Sequence, residues 1–286
     1  MKTIIINSPK DLKKHQDEYW IHIKWNCKIN CSLWLDDLPK RLLVDWYLLI
    51  KAGESIEAGG SIEAGGYIEA GGYIEAGGSI EAGWSIEAGR SIKAGWSIKA
   101  GWSIKAGGSI KAGGYIEAGG YIEAGGSIEA GWSIEAGRSI KAGWSIKAGW
   151  SIKAGGSIKA GESIKAGESI EAGGSIEAGW SIEAGRYIEA GESIKAGDGN
   201  WISAWLSITC KWELNFWLKA FAGVCTWKIT TDEEKTITCW KLVNWTIEYG
   251  ILKETSIEEE KKIIIIDWKE IKISKEIYEE LKKSLN

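Results

Sequence analysis

The sequence predicts an all-β solenoid, in which the chain winds as a parallel coil of six-residue units. Three observations support this fold class. An isoleucine recurs at every sixth position from Ile50 to Ile194, within the unit Ser/Tyr-Ile-Glu/Lys-Ala-Gly-X. The glycine at the fifth position of each unit disfavours a helix, because it costs about 1 kcal/mol relative to alanine. A meander of hairpins is also disfavoured, because it would set each Ile opposite a charged residue.

The alternation within the unit predicts which side chains form the core. Ile and Ala are two residues apart and should point inward, whereas Ser/Tyr and Glu/Lys should point outward. Glycine is expected at the bend because it tolerates backbone angles that other residues avoid. Burying one Ile contributes roughly 1.5 to 3 kcal/mol, whereas ordering each of the six residues costs about 1.5 kcal/mol. A single turn should therefore depend on its neighbours to fold.

The repeat resembles the hexapeptide of left-handed parallel β-helices. Three consecutive units match the aliphatic position of that family and the residue after it, with Ile56, Ile62 and Ile68 followed by Glu57, Glu63 and Glu69. The resemblance covers about half of the chain and implies a triangular coil of three units per turn. The chain departs from the family two residues before the aliphatic position, where a small inward residue is preferred and this chain has Gly66, Trp84, Arg90 or Glu162. The large side chains should therefore lie on outward corners, or the coil is of another type.

The charges after each Ile favour a different coil. Compared three units apart, 14 of 22 pairs are opposite in sign, whereas 18 of 21 are opposite when compared four units apart. Opposite charges stack favourably between strands, so the charges alone favour a four-sided coil. The comparison counts one block twice, however, because residues 61–108 recur at 109–156 with the single change of Glu63 to Lys111. A three-sided left-handed coil is the first expectation, and a four-sided coil stays open.

The chain is predicted to divide into five parts. Residues 1–19 should form a strand and helix cap, with a strand at residues 3–6 and a helix from Ser8-Pro9 to about Gln16. Residues 20–49 and 198–250 should form irregular, Trp-rich solenoid turns on either side of the regular repeats at 50–197. Residues 251–286 should form a second small cap of strands and a helix that begins at Ser274.

The six-residue period continues into both flanks. Before the regular repeats it is kept by Ile23, Ile29 and Leu35, and then by Leu38, Val44 and Ile50. After a two-residue slip at positions 198–200 it is kept by Ile202, Ile208, Leu214 and Ala220, and less regularly by Ile237 and Val243. The solenoid should therefore be longer than its perfect repeats.

Several features bear on location and cofactors. No segment approaches the length of about 20 apolar residues that a membrane helix needs, and the first apolar run is too short for a secretory signal. We therefore expect a cytoplasmic protein, which would lie in the host cytoplasm if a phage encodes it. The five cysteines suggest no disulfide framework. Cys31, Cys210 and Cys239 each follow an apolar period residue by two, which predicts buried alanine-like positions. Cys27 and Cys31 lack a second pair for zinc, so no metal or cofactor is expected.

A catalytic constellation is not visible. Many members of the hexapeptide β-helix family, which this chain resembles in its repeat, are acyltransferases that rely on a histidine and on loops that break the coil. Here the only histidines are His15 and His22, and no loop interrupts the period between residues 53 and 197. His15 is interpreted as a surface residue of the cap helix, and His22 as an outward strand residue. The chain is therefore expected not to be an enzyme.

The candidate binding residues are the large side chains at position X and the tyrosines. Two sets of X residues lie close in sequence to lysines, the first to Lys93, Lys99 and Lys105 and the second to Lys141, Lys147 and Lys153, which would give two patches mixing aromatic and basic groups. The candidates are Trp84, Arg90, Trp96 and Trp102, their copies Trp132, Arg138, Trp144 and Trp150, and the tyrosines Tyr67, Tyr73, Tyr115 and Tyr121. In the alternative interpretation, Trp covers neighbouring glycines and Lys pairs with Glu of the adjacent turn.

Three hypotheses of function follow. The first is a non-catalytic recognition rod for a protein or ribonucleoprotein partner. The recently copied repeats and the Ile/Lys/Glu vocabulary suggest a phage or mobile-element inhibitor of a host defence complex. Direct nucleic-acid binding stays open as an alternative, although the net charge of −4 argues against a general nucleic-acid affinity. The second is a self-assembling structural solenoid that forms homo-oligomers, and the third is a carbohydrate-binding or carbohydrate-active β-helix.

Overall fold

The chain is a parallel β-solenoid with three sheets, as the sequence predicts. A computed structural model describes residues 2–17, 19–35, 41–197, 200–216, 219–223, 230–243 and 247–254, and the backbone of 262–266 and 269–273. Three parallel sheets of 13, 13 and 12 strands run along the coil, and we name them sheets A, B and C. From the strand Asn26–Ile29 onward, successive strands visit them in the order A, C, B, so the four-sided alternative is wrong.

Almost every strand has three or four residues. Sheet A contains Thr3–Ile6, Asn26–Ile29, Leu48–Ile50, Ile68–Ala70, Ser85–Ala88, Ser103–Ala106, Ile122–Ala124, Ile140–Ala142, Ile158–Ala160, Ile176–Ala178, Ile194–Ala196, Glu213–Asn215 and Lys241–Val243. Sheet B contains Trp20–Ile23, Arg41–Val44, Ile62–Ala64, Ile80–Ala82, Ile98–Ala100, Ile116–Ala118, Ile134–Ala136, Ile152–Ala154, Ile170–Ala172, Ile188–Ala190, Ile208–Cys210, Thr236–Cys239 and Ile251–Glu254. Sheet C contains Leu33–Trp34, Ile56–Ala58, Ile74–Ala76, Ile92–Ala94, Ile110–Ala112, Ile128–Ala130, Ile146–Ala148, Ile164–Ala166, Ile182–Ala184, Trp201–Ala204, Lys219–Ala222 and Ile247–Tyr249.

Two other elements lie outside the three sheets. A 3-10 helix spans Pro9–His15, where the sequence predicts a helix. The strands Lys262–Ile266 and Lys269–Ile273 pair as an antiparallel hairpin. The predicted helix that begins at Ser274 lies outside the described residues. Among the helices of the described chain, none is long and apolar enough to cross a membrane.

Three corners join the sheets, and each consists of the Gly-X-Ser/Tyr part of the unit. We name them the AC, CB and BA corners after the sheets that they connect. In the regular block, each residue pairs with its equivalent three units along the chain, as Ile74 does with Ile92 and Ala76 with Ala94. The structural repeat is therefore a turn of three units, and consecutive X residues lie on different corners.

On each of the three sheets the core contains two ladders of stacked side chains, which we name the isoleucine track and the alanine track. From Ile56 to Ile194 every repeat isoleucine is fully buried, and the alanines two residues later are 2 to 7% exposed. The predicted inward positions are confirmed. The serines are expected to point outward, but most of them are half-buried at the corners and some are buried. Several accept a hydrogen bond from the next turn, as Ser61 Oγ does from the backbone N–H of Ser79 at 3.2 Å.

Ion pairs connect adjacent turns across all three faces. Eight lysine–glutamate pairs do so in the described part of the chain, namely Lys93–Glu75, Lys99–Glu117, Lys105–Glu87, Lys111–Glu129, Lys141–Glu123, Lys153–Glu171, Lys159–Glu177 and Lys165–Glu183. Like charges also stack in register, as Lys93 does on Lys111. Exposed ion pairs each contribute only about 0 to 1 kcal/mol. The charge pattern is therefore too weak to set the number of sides of the coil.

The repeat glycines are required for a reason other than the one that the sequence suggests. Among the described glycines, only Gly53, Gly223 and Gly250 have a positive φ angle. At the fifth position of nearly every regular unit, a Cβ atom would instead collide with the carbonyl oxygen of the equivalent glycine one turn earlier. Close approach between turns, and not an unusual backbone angle, therefore selects glycine here.

The period in the N-terminal flank is real, but its register is shifted by two residues. Val44 pairs with Ala64 and Ile50 with Ala70, so both lie on the alanine track. The isoleucine track is continued by the residues two positions earlier, Ile21, Cys27, Leu33, Leu42 and Leu48. A longer AC corner at residues 51–55, which contains Gly53 with φ +83°, absorbs the difference. The structural repeat therefore begins at Ile56.

The C-terminal flank follows the predicted register more closely. Ile202, Ile208, Leu214 and Ala220 all lie on the isoleucine track, and Cys210 and Cys239 are buried. The prediction that Val243 keeps the period is wrong, because Leu242 rather than Val243 pairs with Leu214. In the N-terminal flank, the prediction that Cys31 is a buried, alanine-like residue is also wrong. Cys31 lies beyond the alanine-track residue Ile29 and is only half-buried. Leu38 and Cys225 lie outside the described residues.

Candidate functional site

The large X residues lie on outward corners, as the prediction requires for a three-sided coil. The six candidate tryptophans are all exposed, at 58% for Trp84, 64% for Trp96, 52% for Trp102, 43% for Trp132, 59% for Trp144 and 55% for Trp150. Arg90 and Arg138 are exposed as well. Their bulk is accommodated because it never enters the core.

The structure does not bring either predicted set of four residues together. In the first set, Trp84 and Trp102 lie on the BA corner, whereas Arg90 lies on the AC corner and Trp96 on the CB corner. The second set is divided in the same way over three corners. Its residues are Trp132 and Trp150 on the CB corner, Arg138 on the BA corner and Trp144 on the AC corner. Neighbours in space come from every third unit of the sequence, and not from consecutive units.

This arrangement produces one long aromatic row on the BA corner. We call it the aromatic corner, and it comprises Trp46, Tyr47, Tyr67, Trp84, Trp102, Tyr121 and Arg138. It covers six consecutive turns, which at about 4.8 Å per turn makes a row roughly 25 Å long.

Ring contacts connect the first part of the aromatic corner. The rings of Tyr47 and Tyr67 stack with centroids 4.2 Å apart and planes 18° apart. The ring of Trp84 is tilted by 60° against Tyr47, with centroids 6.0 Å apart. One turn further, the backbone N–H of Trp102 donates to the carbonyl oxygen of Trp84 at 2.6 Å. Backbone hydrogen bonds therefore fix the spacing of these tryptophans.

Arg138 closes the far end of the aromatic corner. Its guanidinium lies 5.1 Å from the ring centroid of Trp102 and 5.4 Å from that of Tyr121. It also donates a hydrogen bond to the Tyr121 hydroxyl at 2.7 Å. Such cation–π contacts contribute about 0.5 to 1 kcal/mol at exposed sites. They hold an otherwise flexible side chain in one position.

Two glycines make these contacts sterically accessible. A Cβ atom on Gly66 would overlap the ring of Tyr47, so this glycine lets Tyr47 lie flat beside Tyr67. Gly120 occupies the turn between Trp102 and Arg138, and it has no side chain to separate them. Glycine at X is therefore part of the surface pattern of this corner.

The CB corner carries a second, shorter aromatic row. The rings of Trp132 and Trp150 stack with centroids 5.7 Å apart and planes 11° apart. Tyr115 contacts Trp132 from the preceding turn, with centroids 6.1 Å apart. On the AC corner, Tyr73 is half-buried, and Trp144 has no aromatic or cation–π contact among the described residues.

The lysines near the candidate tryptophans mostly pair with glutamates of adjacent turns, as the alternative interpretation predicts. Five of the six lysines in the two predicted sets form an ion pair with a glutamate of an adjacent turn, and these are Lys93, Lys99, Lys105, Lys141 and Lys153. Lys147 forms no such pair within the described chain. The faces beside the tryptophans therefore have largely neutralised charges, and Arg138 is the cation that belongs to the aromatic corner itself.

A shallow groove on sheet B runs beside the aromatic corner. It is lined by Leu43, Glu63, Glu81 and Lys99, together with corner glycines. Burial raises the pKa of Glu63, and the negative charge of Glu81 one turn away raises it further, whereas Arg41 opposes this effect. An approaching cation would stabilise the ionised form of Glu63.

Histidines and cysteines lie away from the aromatic candidates. His22 points outward from sheet B, where its Nε2 lies 2.6 Å from Oδ1 of Asp45, and both side chains are 39% exposed. Burial raises the pKa of the Cys27 and Cys210 thiols to about 12 and that of Cys239 to about 11. These thiols are protonated at neutral pH. Within the described ranges, no three acidic, His or Cys side chains are grouped so that they could hold a metal ion.

The prediction missed Trp46 and Tyr47, which begin the aromatic corner. Both lie in the irregular flank, and the sequence signal that identifies them appears only when the chain is written in rows of three units. The AC corner at residues 51–55 is longer than the others, so its extra residues must be left out before Trp46 and Tyr47 align with Tyr67 and Trp84 in those rows.

Comparison with protein-family models, with curated proteins and with solved structures finds no match for this chain.

Proposed function

We propose that this chain is a non-catalytic recognition rod that binds a macromolecular partner, a protein or ribonucleoprotein, along the aromatic corner. The observation that carries the proposal is the continuous row of six aromatic side chains and Arg138 on a single edge. Tryptophan, tyrosine and arginine are the residue types that dominate binding energy in protein interfaces. Single exposed apolar residues are ordinary, whereas this row continues over six turns.

Rigidity supports the same proposal. Each turn of the corner is hydrogen-bonded to the next through the backbone, as Gly66 N–H is to Trp46 at 2.7 Å and Trp102 N–H to Trp84 at 2.6 Å. The rings are therefore spaced before a partner arrives, and little conformational entropy is lost on binding. A preorganised row of this kind suits a partner with a groove or ridge of matching length.

The charge distribution favours a protein surface over a bare polyanion along this edge. Lys99 and Lys105 flank Trp102, but both pair with glutamates. The groove beside the corner presents Glu63 and Glu81, which would repel phosphates and attract a lysine or arginine. The partner surface should therefore combine apolar area with basic groups opposite these glutamates and an acceptor for Arg138.

A pull-down with matched variants tests this proposal. The tagged chain and the triple variant W84A/W102A/R138A are used to capture partners from a lysate of the source organism, followed by mass spectrometry. The matched control is R90A/W144A/W180A, which removes the same residue types, all of them exposed, from the AC corner. We expect a stoichiometric partner with the wild type and the control, and its loss with the aromatic-corner variant.

The outcomes separate the hypotheses. Equal capture by all three chains contradicts the role of the aromatic corner, provided that circular dichroism shows each to be folded. A chain that elutes alone as a large particle supports the self-assembling alternative, and a sugar that quenches tryptophan fluorescence supports the carbohydrate alternative. The narrower hypothesis of a phage or mobile-element inhibitor adds one requirement, which is that the captured host complex loses activity when the rod is bound.

A further inference from the structure

A second surface feature, a cationic cleft, lies at the N-terminal end of the solenoid. It is an open cleft of about 400 Å³ that is lined mainly by Lys2, Lys14, His15, His22, Lys24 and Trp25. These residues come from three segments, which are the residue before the first strand, the end of the 3-10 helix, and the end of the first sheet B strand with its corner. The sequence gives no simple signal for this convergence, because the three segments are separated along the chain and share no repeat.

Buried and hydrogen-bonded residues fix the walls of the cleft. The helix Pro9–His15 is anchored by Leu12, which is fully buried. The turn after the helix is held by Asp17, whose Oδ1 accepts the backbone N–H groups of Tyr19 at 2.9 Å and Trp20 at 2.8 Å. These two hydrogen bonds hold the pKa of Asp17 below its usual value. His22 is held in turn by Asp45.

The lysines of the cleft differ from those of the repeats. Within the described part of the chain, no carboxylate lies within ion-pair distance of Lys2, Lys14 or Lys24, whereas eight repeat lysines are paired with glutamates. Asp17 is the one carboxylate on the cleft wall among the described residues, and its Oδ1 is already used by backbone donors. A chain with a net charge of −4 therefore carries a local excess of positive charge at this cleft, although the Asp11 carboxylate acts on Lys14 from the same helix.

The cleft also has one planar apolar wall. Trp25 is 44% exposed, and it lies on the BA corner in the turn before Trp46. An indole ring beside ammonium groups matches a ligand with a flat ring and an anionic group a few ångströms away. Ammonium groups and imidazole N–H groups are suitable donors for phosphate oxygens.

We propose that this cleft binds a nucleoside phosphate, with the phosphate between Lys14 and Lys24 and the base against Trp25. The proposal does not rest on the function proposed for the aromatic corner, because a different set of residues forms the site and a small ligand is sufficient to test it. The ligand can come from two sources, a free nucleotide or the 5′-phosphorylated end of a nucleic-acid strand.

Calorimetric titration of the full chain with adenosine 5′-monophosphate tests the site. We expect the dissociation constant to rise about tenfold or more in K14A/K24A, because each lost phosphate contact removes a charge-assisted hydrogen bond. In W25A we expect a rise of about fivefold or more from the lost stacking. The matched control K13A removes a lysine of the same helix that does not line the cleft, and it should bind as the wild type does.

Three further ligands complete the test. Adenosine should bind far more weakly than its monophosphate, and inorganic phosphate should bind more weakly because it cannot contact Trp25. A 5′-phosphorylated decathymidylate that binds more tightly than its unphosphorylated form supports a strand end as the source. The proposal is overturned if K13A weakens binding as much as K14A/K24A does, if W25A leaves the affinity for the monophosphate unchanged, or if the wild type does not bind the monophosphate.

Discussion

The substitution Gly101→Ala should separate two explanations for the repeat glycines. Gly101 lies at the fifth position of its unit on the BA corner, and its φ angle lies outside the positive range that favours glycine. An ideal Cβ atom on Gly101 would lie 2.1 Å from the carbonyl oxygen of Gly83 on the preceding turn. If only the backbone angle mattered, alanine would be tolerated. If the close approach of turns matters, alanine must push two turns apart.

The expected cost follows from what the added methyl group displaces. The obstructing atom belongs to the backbone, which cannot rotate away as the end of a side chain can. Overpacking of this kind costs about 1 to 3 kcal/mol. Separating the turns also lengthens the hydrogen bond from Trp102 N–H to Trp84, now 2.6 Å, and a lost hydrogen bond costs roughly 0.5 to 1.5 kcal/mol. We therefore expect a total loss of about 2 to 4 kcal/mol.

Gly59 supplies the matched control, because it occupies the same position of the unit and a Cβ atom there meets nothing within 4 Å. Gly59→Ala should be neutral or should stabilise by about 0.4 to 1 kcal/mol, since alanine restricts the unfolded chain. Guanidinium denaturation followed by circular dichroism gives the midpoints, and hydrogen exchange shows whether the turns next to residue 101 open first. Equal stability of the two variants would refute the steric explanation.

Three other predictions concern the core, the faces and the thiols. Ile128→Ala should reduce the free energy of unfolding by about 2 to 5 kcal/mol, and Ile128→Val by about 0.5 to 1.5 kcal/mol, because Ile128 is fully buried. Denaturation midpoints give both values, and equal losses in the two variants would contradict a tightly packed isoleucine track. Lys99→Gln removes the exposed pair with Glu117 at 3.2 Å from a lysine that stacks between Glu81 and Glu117, and it should cost at most about 1 kcal/mol. The difference from wild type should shrink in about 1 M salt, and a difference independent of salt would point to another cause. The pKa of Cys210 is raised by burial to about 12, so the folded thiol keeps its proton above the pH near about 8.5 where an unfolded thiol loses it. The free energy of unfolding should therefore fall as the pH rises from about 8.5 towards 12. Cys210→Ala should show a smaller fall over the same range, and identical pH profiles of the wild type and Cys210→Ala would mean that this thiol does not cause the loss of stability.

The fold of the regular block could be predicted because its pattern is unambiguous. Each unit has one large and one small inward residue, so the six-residue period also identifies the track to which each belongs. In the N-terminal flank both inward positions are large, as in Leu42 and Val44 or Leu48 and Ile50. The period alone cannot distinguish the two tracks there. The longer AC corner at residues 51–55 then shifts the register without changing the spacing in the sequence.

The binding surface is harder to predict than the fold. Residues that contact each other across turns are separated by as many units as the coil has sides. The sequence leaves that number open, because the charges favour four units per turn and the apolar period fits any whole number. Once three sides are known, Trp84, Trp102 and Arg138 line up on one corner. The cationic cleft could not be found in this way, because Lys2 and Lys14 belong to no repeat.

The three-sided coil changes what a duplication does to this protein. The copied block, which runs from Ser61 to Gly108, contains eight units, and eight is not a multiple of three. Trp84 on the BA corner was therefore copied to Trp132 on the CB corner, although both sit in the same local sequence. The gene can gain or lose any whole number of units without harming the core. Only the gain or loss of complete turns preserves the surface pattern, so every other length change offers selection a new surface on an unchanged scaffold.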